Sequence, residues 1–142
     1  MSEIFLLDTS VLIASIIEDE PARPQALALL ADVGELHGAD VLGVELANGL
    51  MKAARRKRIS AGAASEALIW WGDAPWQLHP TQPFLDEALH LALKHDAHVY
   101  DLLHLLVAKA AGGQLITLDE RLVTKAASMR LGKYARLLKG AK

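Results

Sequence analysis

The sequence contains no cysteine, no long apolar run and no net positive charge. Without cysteine it cannot form a disulfide framework, a thiol nucleophile or a thiolate metal site. The apolar residues near the N-terminus are interrupted by Asp8, and no segment approaches the ~20 apolar residues that a membrane-spanning helix needs. These absences predict a soluble protein of the cytoplasm that does not contact a membrane.

Length and composition indicate one globular unit. The 142 residues fall within the roughly 100–200 residues typical of one domain. Hydrophobic residues make up 52% of the chain and charged residues 23%, a balance that argues against disorder. No repeat, low-complexity segment or Gly/Ser linker divides the sequence. We therefore expect a single domain over residues 1–142.

The positive charges are concentrated in two stretches. A net charge of -2 argues only weakly against a polyanionic partner, because twelve of the fifteen basic residues lie in these stretches. Such clusters are candidate phosphate-binding surfaces, and solvated helix surfaces are the simpler alternative. The first stretch consists of Lys52, Arg55, Arg56, Lys57 and Arg58, and the second runs from Arg121 to Lys142 without an acidic residue.

Short apolar runs predict the strands. Residues 4–7 and 115–118 are apolar runs of strand length, and Asp8 and Asp119 directly follow them. Weaker strands are expected around Leu36 and at residues 77–79. Residues 134–138 fit either a last strand or another helical turn.

Helical spacing and capping residues predict the segments between these strands. Asp40 and Ser60 are expected to cap helices, Pro24 to begin one, and Gly112 with Gly113 to end another. The helices are expected near residues 11–17, 24–34, 40–58, 60–71, 81–95, 100–111 and 122–129.

Alternation of strands and helices predicts parallel strands joined by right-handed crossovers. The expected fold is α/β, a three-layer α/β/α sandwich around a central, mainly parallel sheet of four or five strands.

Four acidic residues form the candidate site. Ligands of open parallel sheets bind beyond the carboxyl ends of the strands, where Asp8 and Asp119 are expected. Glu45 interrupts an apolar helical stretch and needs a partner if it is buried. Asp101 lies among apolar residues near a helix start. Helix capping, which contributes ~1 kcal/mol, is the simpler explanation for each aspartate alone.

Four converging carboxylates must be neutralised. They would repel one another by several kcal/mol per close pair at an effective dielectric constant of ~20. Protonation or a bound cation relieves this repulsion, and oxygen ligands favour Mg²⁺ or Mn²⁺. Such ions activate water and stabilise charge on phosphate, so the chemistry fits phosphodiester hydrolysis.

Four motifs in register resemble those of PIN domains, in particular the toxin subunits of VapBC-type toxin–antitoxin modules. They cover nearly the whole chain, and their order and spacing together make the resemblance specific. The motifs are LLDTSVL at 6–12, VELANGL at 44–50, VYDLLHL at 99–105 and LITLDERL at 115–122.

The resemblance implies a ribonuclease that uses Mg²⁺ or Mn²⁺. Asp8, Glu45, Asp101 and Asp119 would be its acidic metal-site residues, with metal-activated water attacking phosphorus in line. Ser10 and Thr117 would be supporting polar residues. The candidates for binding RNA are Lys52, Arg55, Arg56, Arg58 and Arg121.

The same resemblance implies partners. The family forms homodimers and higher complexes with a small antitoxin protein that blocks the site. Trp70, Trp71 and Trp76 are candidates for such an interface, since tryptophan is enriched in binding hot spots, and core packing is the alternative for them.

Three other interpretations compete with this one. A non-catalytic RNA-binding protein would use the basic clusters but has little use for four acids beside phosphates. The pair His95 and Asp96 resembles an all-helical class of phosphohydrolase, which leaves the acid-tipped strands unexplained. A receiver-like phosphoacceptor would need an early acidic pair and a late lysine, and neither is evident.

Overall fold

The structure is a computed structural model that describes residues 3–139. Its centre is a five-stranded sheet in the order β3-β2-β1-β4-β5, and every neighbouring pair of strands is parallel. This confirms the predicted α/β fold. The strands are β1 (Phe5–Leu7), β2 (Leu36–Ala39), β3 (Trp76–His79), β4 (Gln114–Thr117) and β5 (Ala135–Leu137).

The helices cover both faces of this sheet. Within the described part of the chain they are α1 (Thr9–Ile16), α2 (Arg23–Asp32), α3 (Leu42–Arg55), α4 (Ala61–Asp73), α5 (Leu85–His95), α6 (Val99–Ala110) and α7 (Glu120–Ser128). Predicted helix 81–95 is divided into a 3₁₀ turn at Gln82–Phe84 and α5. Segment 134–138 combines both expected alternatives, since a 3₁₀ turn at Gly132–Tyr134 leads directly into β5.

Successive side chains of the strands point to opposite faces of the sheet, and this creates two cores. Leu6 and Leu115 are fully buried against α5, α6 and α7. Their neighbours Leu7 and Ile116 point to the opposite face and pack with α1, α3 and α4. Because successive side chains of a strand point to opposite faces, a run of apolar residues supplies both cores at once. The three predicted layers follow from this.

The predicted helix boundaries have mixed outcomes. Ser60 caps α4 as predicted, because its hydroxyl accepts a hydrogen bond from Ala63 N at 3.0 Å. Gly112 ends α6 with a φ of 73°, a conformation that glycine adopts without strain. The prediction that Asp40 caps α3 is wrong. Its Oδ1 instead accepts a hydrogen bond from the Thr81 hydroxyl at 2.7 Å, and Val41 precedes the helix without a side-chain cap.

No helix between residues 3 and 139 has the length and apolar character that crossing a bilayer requires.

Close packing of β1 against the start of β4 leads to a stability prediction. A Cβ atom at Gly113 would lie 2.2 Å from the carbonyl oxygen of Ile4, a backbone atom that cannot move aside alone. We expect Gly113→Ala to lower the free energy of unfolding by about 1–3 kcal/mol, the usual effect of overpacking. Urea denaturation measures this change.

Gly34→Ala is the matched control, since a Cβ at Gly34 meets no atom within 4 Å. Its unfolding midpoint should equal or slightly exceed that of the wild type. Equal stability of the two variants would contradict the predicted clash.

Candidate active site

The strand order places the candidate site at the centre of the sheet. From β1 the chain builds β2 and β3 on one side and β4 and β5 on the other, so the topology changes direction between β1 and β4. Open parallel sheets bind ligands at this point, beyond the carboxyl ends of the strands. Asp8 follows β1 and Asp119 lies two residues after β4, so both acids lie at this crevice.

Asp8 is held by three hydrogen bonds. Its Oδ1 accepts from the backbone N–H of Thr9 at 2.9 Å. Its Oδ2 accepts from the hydroxyls of Ser10 at 2.9 Å and Thr117 at 2.6 Å. Asp8 is also the N-cap of α1, so the capping role and a place in the acidic site are compatible. The carboxylate is fixed in orientation before any ligand binds.

The same two hydroxyls connect Asp8 to the turn that carries Asp119. Ser10 Oγ accepts a hydrogen bond from Leu118 N, and Thr117 Oγ1 accepts one from Asp119 N, each at 3.0 Å. Asp119 caps α7, since its Oδ1 accepts from Arg121 N at 3.0 Å. One chain of hydrogen bonds therefore sets the positions of both strand-end acids.

Glu45 is paired with a residue that the sequence interpretation missed. It lies in the first turn of α3, and its Oε1 accepts a hydrogen bond from Nε2 of His104. The same oxygen accepts from the Thr9 hydroxyl at 3.2 Å. These contacts supply the partner that an acid in an apolar segment needs, and they leave Oε2 as the less engaged oxygen of Glu45.

His104 is buried in α6, with only 1% of its surface exposed. Burial lowers the pKa of this imidazole, but the hydrogen bond to Glu45 and the charges of Asp8 and Asp101 outweigh burial and raise it. Its Nδ1 is buried without a partner among residues 3–139, so Glu45 fixes the ring. His104 was detectable in principle, because it follows Asp101 by three residues and shares its helix face.

Asp101 lies near the strand-end acids, since it lines one cleft with Asp119. Burial in the first turn of α6 raises this pKa, and the negative charges of Asp8 and Asp119 raise it further. The charges of His104 and His98 oppose that rise. The capping alternative does not apply to Asp101, because His98 precedes the helix as its N-cap.

These acids fit a hard divalent cation by their chemistry. Every carboxylate offers oxygen donors, and the mutual repulsion felt by Asp101 is the kind that a cation relieves. Among residues 3–139, no three His, Asp or Glu side chains are grouped closely enough to hold an ion directly. Mg²⁺ keeps several waters and commonly binds through one or two carboxylates, so the set suits an ion held partly through water.

The structure separates the candidate RNA-binding residues. Lys52 and Arg55 lie in the last turn of α3, roughly 10 Å and 15 Å along the helix axis from Glu45. Arg58 is already paired, since its Nη2 lies 2.6 Å from Glu20 Oε2 and 3.3 Å from Asp19 Oδ1. Arg58 stays a candidate, but RNA would have to compete with these two acids for its guanidinium group. Arg121 lies in the first turn of α7, directly beyond Asp119.

The tryptophans divide between core and surface. Trp71 and Trp76 pack against the core on the α1, α3 and α4 side, with ring centroids 4.6 Å apart. Trp70 is 40% exposed and contributes to a groove of about 970 Å³ between α1, α2, α4 and the edge of the sheet.

Known proteins share this fold. Residues 5–127 match the family model described as PIN domain. The chain is 34% identical to Ribonuclease VapC3 of Pyrobaculum aerophilum over 122 residues. The aligned region covers 84% of this chain and 92% of that protein. The crystal structure of PAE2754 from Pyrobaculum aerophilum matches with a TM-score of 0.69 and 26% identity, over 97% of this chain and 91% of that chain.

The chain therefore belongs to the PIN-domain family, among its VapC-type members. Two of the competing interpretations fail on the fold. An all-helical phosphohydrolase has no place for the five-stranded sheet, and a receiver-like sheet has the strand order 2-1-3-4-5 rather than the order found here.

The pairing of His104 with Glu45 predicts a pH-dependent stability. The pKa of His104 is raised above its ordinary 6.5, so its contribution to folding is complete below that pH and declines as the pH rises through the folded-state value. In EDTA, we expect His104→Leu to lose about 1–3 kcal/mol of unfolding free energy near pH 6, because Glu45 loses its donor. Urea denaturation between pH 6 and pH 9 measures the loss.

His104→Gln is the matched control, since its amide can donate to Glu45 but cannot titrate. It should recover part of the stability and reduce the pH dependence. A difference between wild type and His104→Leu that stays constant across this pH range would contradict the pairing.

Proposed function

We propose that this chain is an endoribonuclease that hydrolyses RNA phosphodiester bonds with Mg²⁺ or Mn²⁺, and that it acts in the cytoplasm as the toxin of a toxin–antitoxin pair. The observation that carries this proposal is the convergence of Asp8, Asp101 and Asp119 at the carboxyl ends of the strands, with Glu45 joined to Asp8 through Thr9. The relation to a protein named Ribonuclease VapC3 supports RNA as the substrate.

The acidic residues differ in what they can contribute. Asp8 presents an oriented carboxylate that offers mainly Oδ1, because Oδ1 accepts one hydrogen bond and Oδ2 already accepts two. Glu45 offers mainly Oε2, because His104 and Thr9 already bind Oε1. Burial and the charges of Asp8 and Asp119 raise the pKa of Asp101, so a cation would stabilise its ionised form. Asp119 is restrained by its capping bonds, which suits it to orienting water or a second ion.

Water is the proposed nucleophile. A bound Mg²⁺ or Mn²⁺ supplies a Lewis acid that activates water and offsets negative charge on the phosphate. The hydroxyls of Ser10 and Thr117 donate to Asp8 and accept from backbone N–H groups, so they serve to position that carboxylate. No covalent intermediate with the protein is needed.

Two surfaces support the proposed partners. The groove beside Trp70 has apolar walls that include Leu27 and Leu30, with Glu35 and Asp73 among its lining residues, and this suits a basic, apolar segment of a small antitoxin. The outer face of α5 exposes Leu85, Leu89 and Leu93 at helical spacing, which supports a homodimer as the unit that assembles into the larger toxin–antitoxin complex.

Loss of one central carboxylate tests the catalytic proposal. We expect Asp8→Asn to retain the fold and lose at least a hundredfold in cleavage rate, because the charge is removed where a cation is expected to bind. The assay uses purified protein, single-stranded RNA and Mg²⁺ or Mn²⁺, with the cleaved ends mapped.

EDTA should stop the wild-type reaction, and returning Mg²⁺ should restore it. Full activity of Asp8→Asn, or cleavage that continues in EDTA, would overturn the mechanism. RNA binding without cleavage by the wild type in any divalent metal would favour the non-catalytic RNA-binding alternative.

The basic end of α3 provides a separate test of RNA binding. We expect Arg55→Gln combined with Arg56→Gln to flatten the salt dependence of affinity for single-stranded RNA, by about 0.7 in log–log slope for each phosphate that is no longer neutralised. Fluorescence anisotropy in EDTA measures this slope without cleavage.

Arg58→Gln is the control, because this arginine is engaged with Glu20 and Asp19 and should leave the slope unchanged. An equal loss of slope in Arg58→Gln would show that the ion pairs do not decide which cations meet RNA. An unchanged slope in the double variant would assign Arg55 and Arg56 to solvated surface.

A further inference from the structure

A cleft of mixed charge adjoins the acidic residues on the side of α7. It has a volume of about 610 Å³, and its walls include Asp101 and Asp119 from the candidate active site. The same walls carry the cations Arg121 and Lys125, together with His98 at the start of α6. A ligand that occupies this cleft therefore meets the acidic site and two positive charges at once.

Lys125 is held in place within this cleft. Its ammonium group donates hydrogen bonds to the carbonyl oxygens of His95 at 3.3 Å and Asp96 at 3.0 Å, at the C-terminal end of α5. An ammonium group has three N–H donors, so one donor remains after these two bonds. The side chain loses little further conformational freedom when it binds an anion, which favours binding.

Arg121 lies one helical turn before Lys125, on the same face of α7. Among residues 3–139 its guanidinium group makes no side-chain hydrogen bond or salt bridge, in contrast to Arg58. A second cavity, of about 530 Å³, lies against the same two residues and continues to Thr124 and Ser128. Arg121 and Lys125 thus line both of two cavities that cover the same stretch of α7.

The positions of Arg121 and Lys125 along α7 indicate which phosphate of a bound strand they could contact. Arg121 and Lys125 lie roughly 3 Å and 9 Å further along the helix axis than Asp119, at 1.5 Å per residue. The two cations are therefore staggered along the helix away from Asp119, and Lys125 is the farther of the two. A strand that reacts beside Asp119 and then follows α7 would bring its next phosphate towards these two cations.

We propose that Arg121 and Lys125 form a subsite for the RNA backbone phosphate next to the scissile one, so that the strand leaves the acidic residues along α7. This inference rests on the proposed ribonuclease function. The subsite reads no base, since contacts to phosphate fix register and orientation only. It also supplies positive charge where a polyanion must approach several carboxylates.

The test measures RNA binding in EDTA, with a single-stranded oligonucleotide and fluorescence anisotropy. We expect Arg121→Gln to lower the salt slope by about 0.7, which corresponds to about fivefold weaker binding at 0.1 M salt. Arg121→Gln combined with Lys125→Gln should lower the slope by about 1.4. Lys109→Gln removes the same charge from the last turn of α6 and should match the wild type.

Arg121→Gln alone decides the outcome, because Lys125→Gln also removes two hydrogen bonds to the end of α5. A wild-type slope in Arg121→Gln would overturn the subsite. Since no cleavage is needed, absence of nuclease activity would count against the proposed function and not against this binding result.

Cleavage kinetics separate the neighbouring phosphate from the scissile one. With a long oligonucleotide, Arg121→Gln should raise KM about fivefold and leave kcat nearly unchanged. This is expected when the bound substrate and the transition state lose the same amount of binding energy. A dinucleotide contains only the scissile phosphate, so the variant should cleave it like the wild type. An equal defect on both substrates would place Arg121 at the scissile phosphate and overturn the proposal.

Discussion

The hydrogen bonds from Ser10 and Thr117 to Asp8 are the contacts on which the arrangement of the site depends. They join the end of β1 to the end of β4, where the sheet topology changes direction. Each hydroxyl also accepts a backbone N–H from the turn before α7. A change in either strand's register would therefore separate Asp8 from the turn that holds Asp119, so the sheet and the site have to form together.

This constraint brings negative charges together at a cost to stability. Burial and neighbouring carboxylates raise the pKa of Asp101, and the fold compensates only part of that repulsion, through His104 and His98. A fully compensated site would have no remaining affinity for a cation. His104 binds Glu45 at the edge of the cluster and only partly offsets the repulsion between Asp101 and its acidic neighbours. Uncompensated charge of this kind is common at functional sites, where it lowers stability.

The sequence was sufficient where local rules decide the structure. Asp8 and Asp119 could be placed at the sheet edge because each follows an apolar strand, and Ser60 could be placed as a cap because capping depends on neighbouring residues. Asp40 has the same local features, but Thr81, 41 residues away, takes its carboxylate instead. His104 was missed because its partner lies 59 residues away. Pairings across such separations are set by packing, which no short window encodes.

Contacts between residues far apart in the sequence also determine which basic residues have acidic partners. Arg58 and Arg121 both belong to basic stretches, and their composition does not distinguish them. Arg58 folds against the acidic segment after α1, which cancels its charge locally. Arg121 lies on a helix whose N-cap is one of the site acids, so its position is coupled to Asp119. Net charge therefore does not distinguish the two arginines. Arg58 has two acidic partners, whereas Arg121 lies beside the site acids and has no acidic partner among residues 3–139.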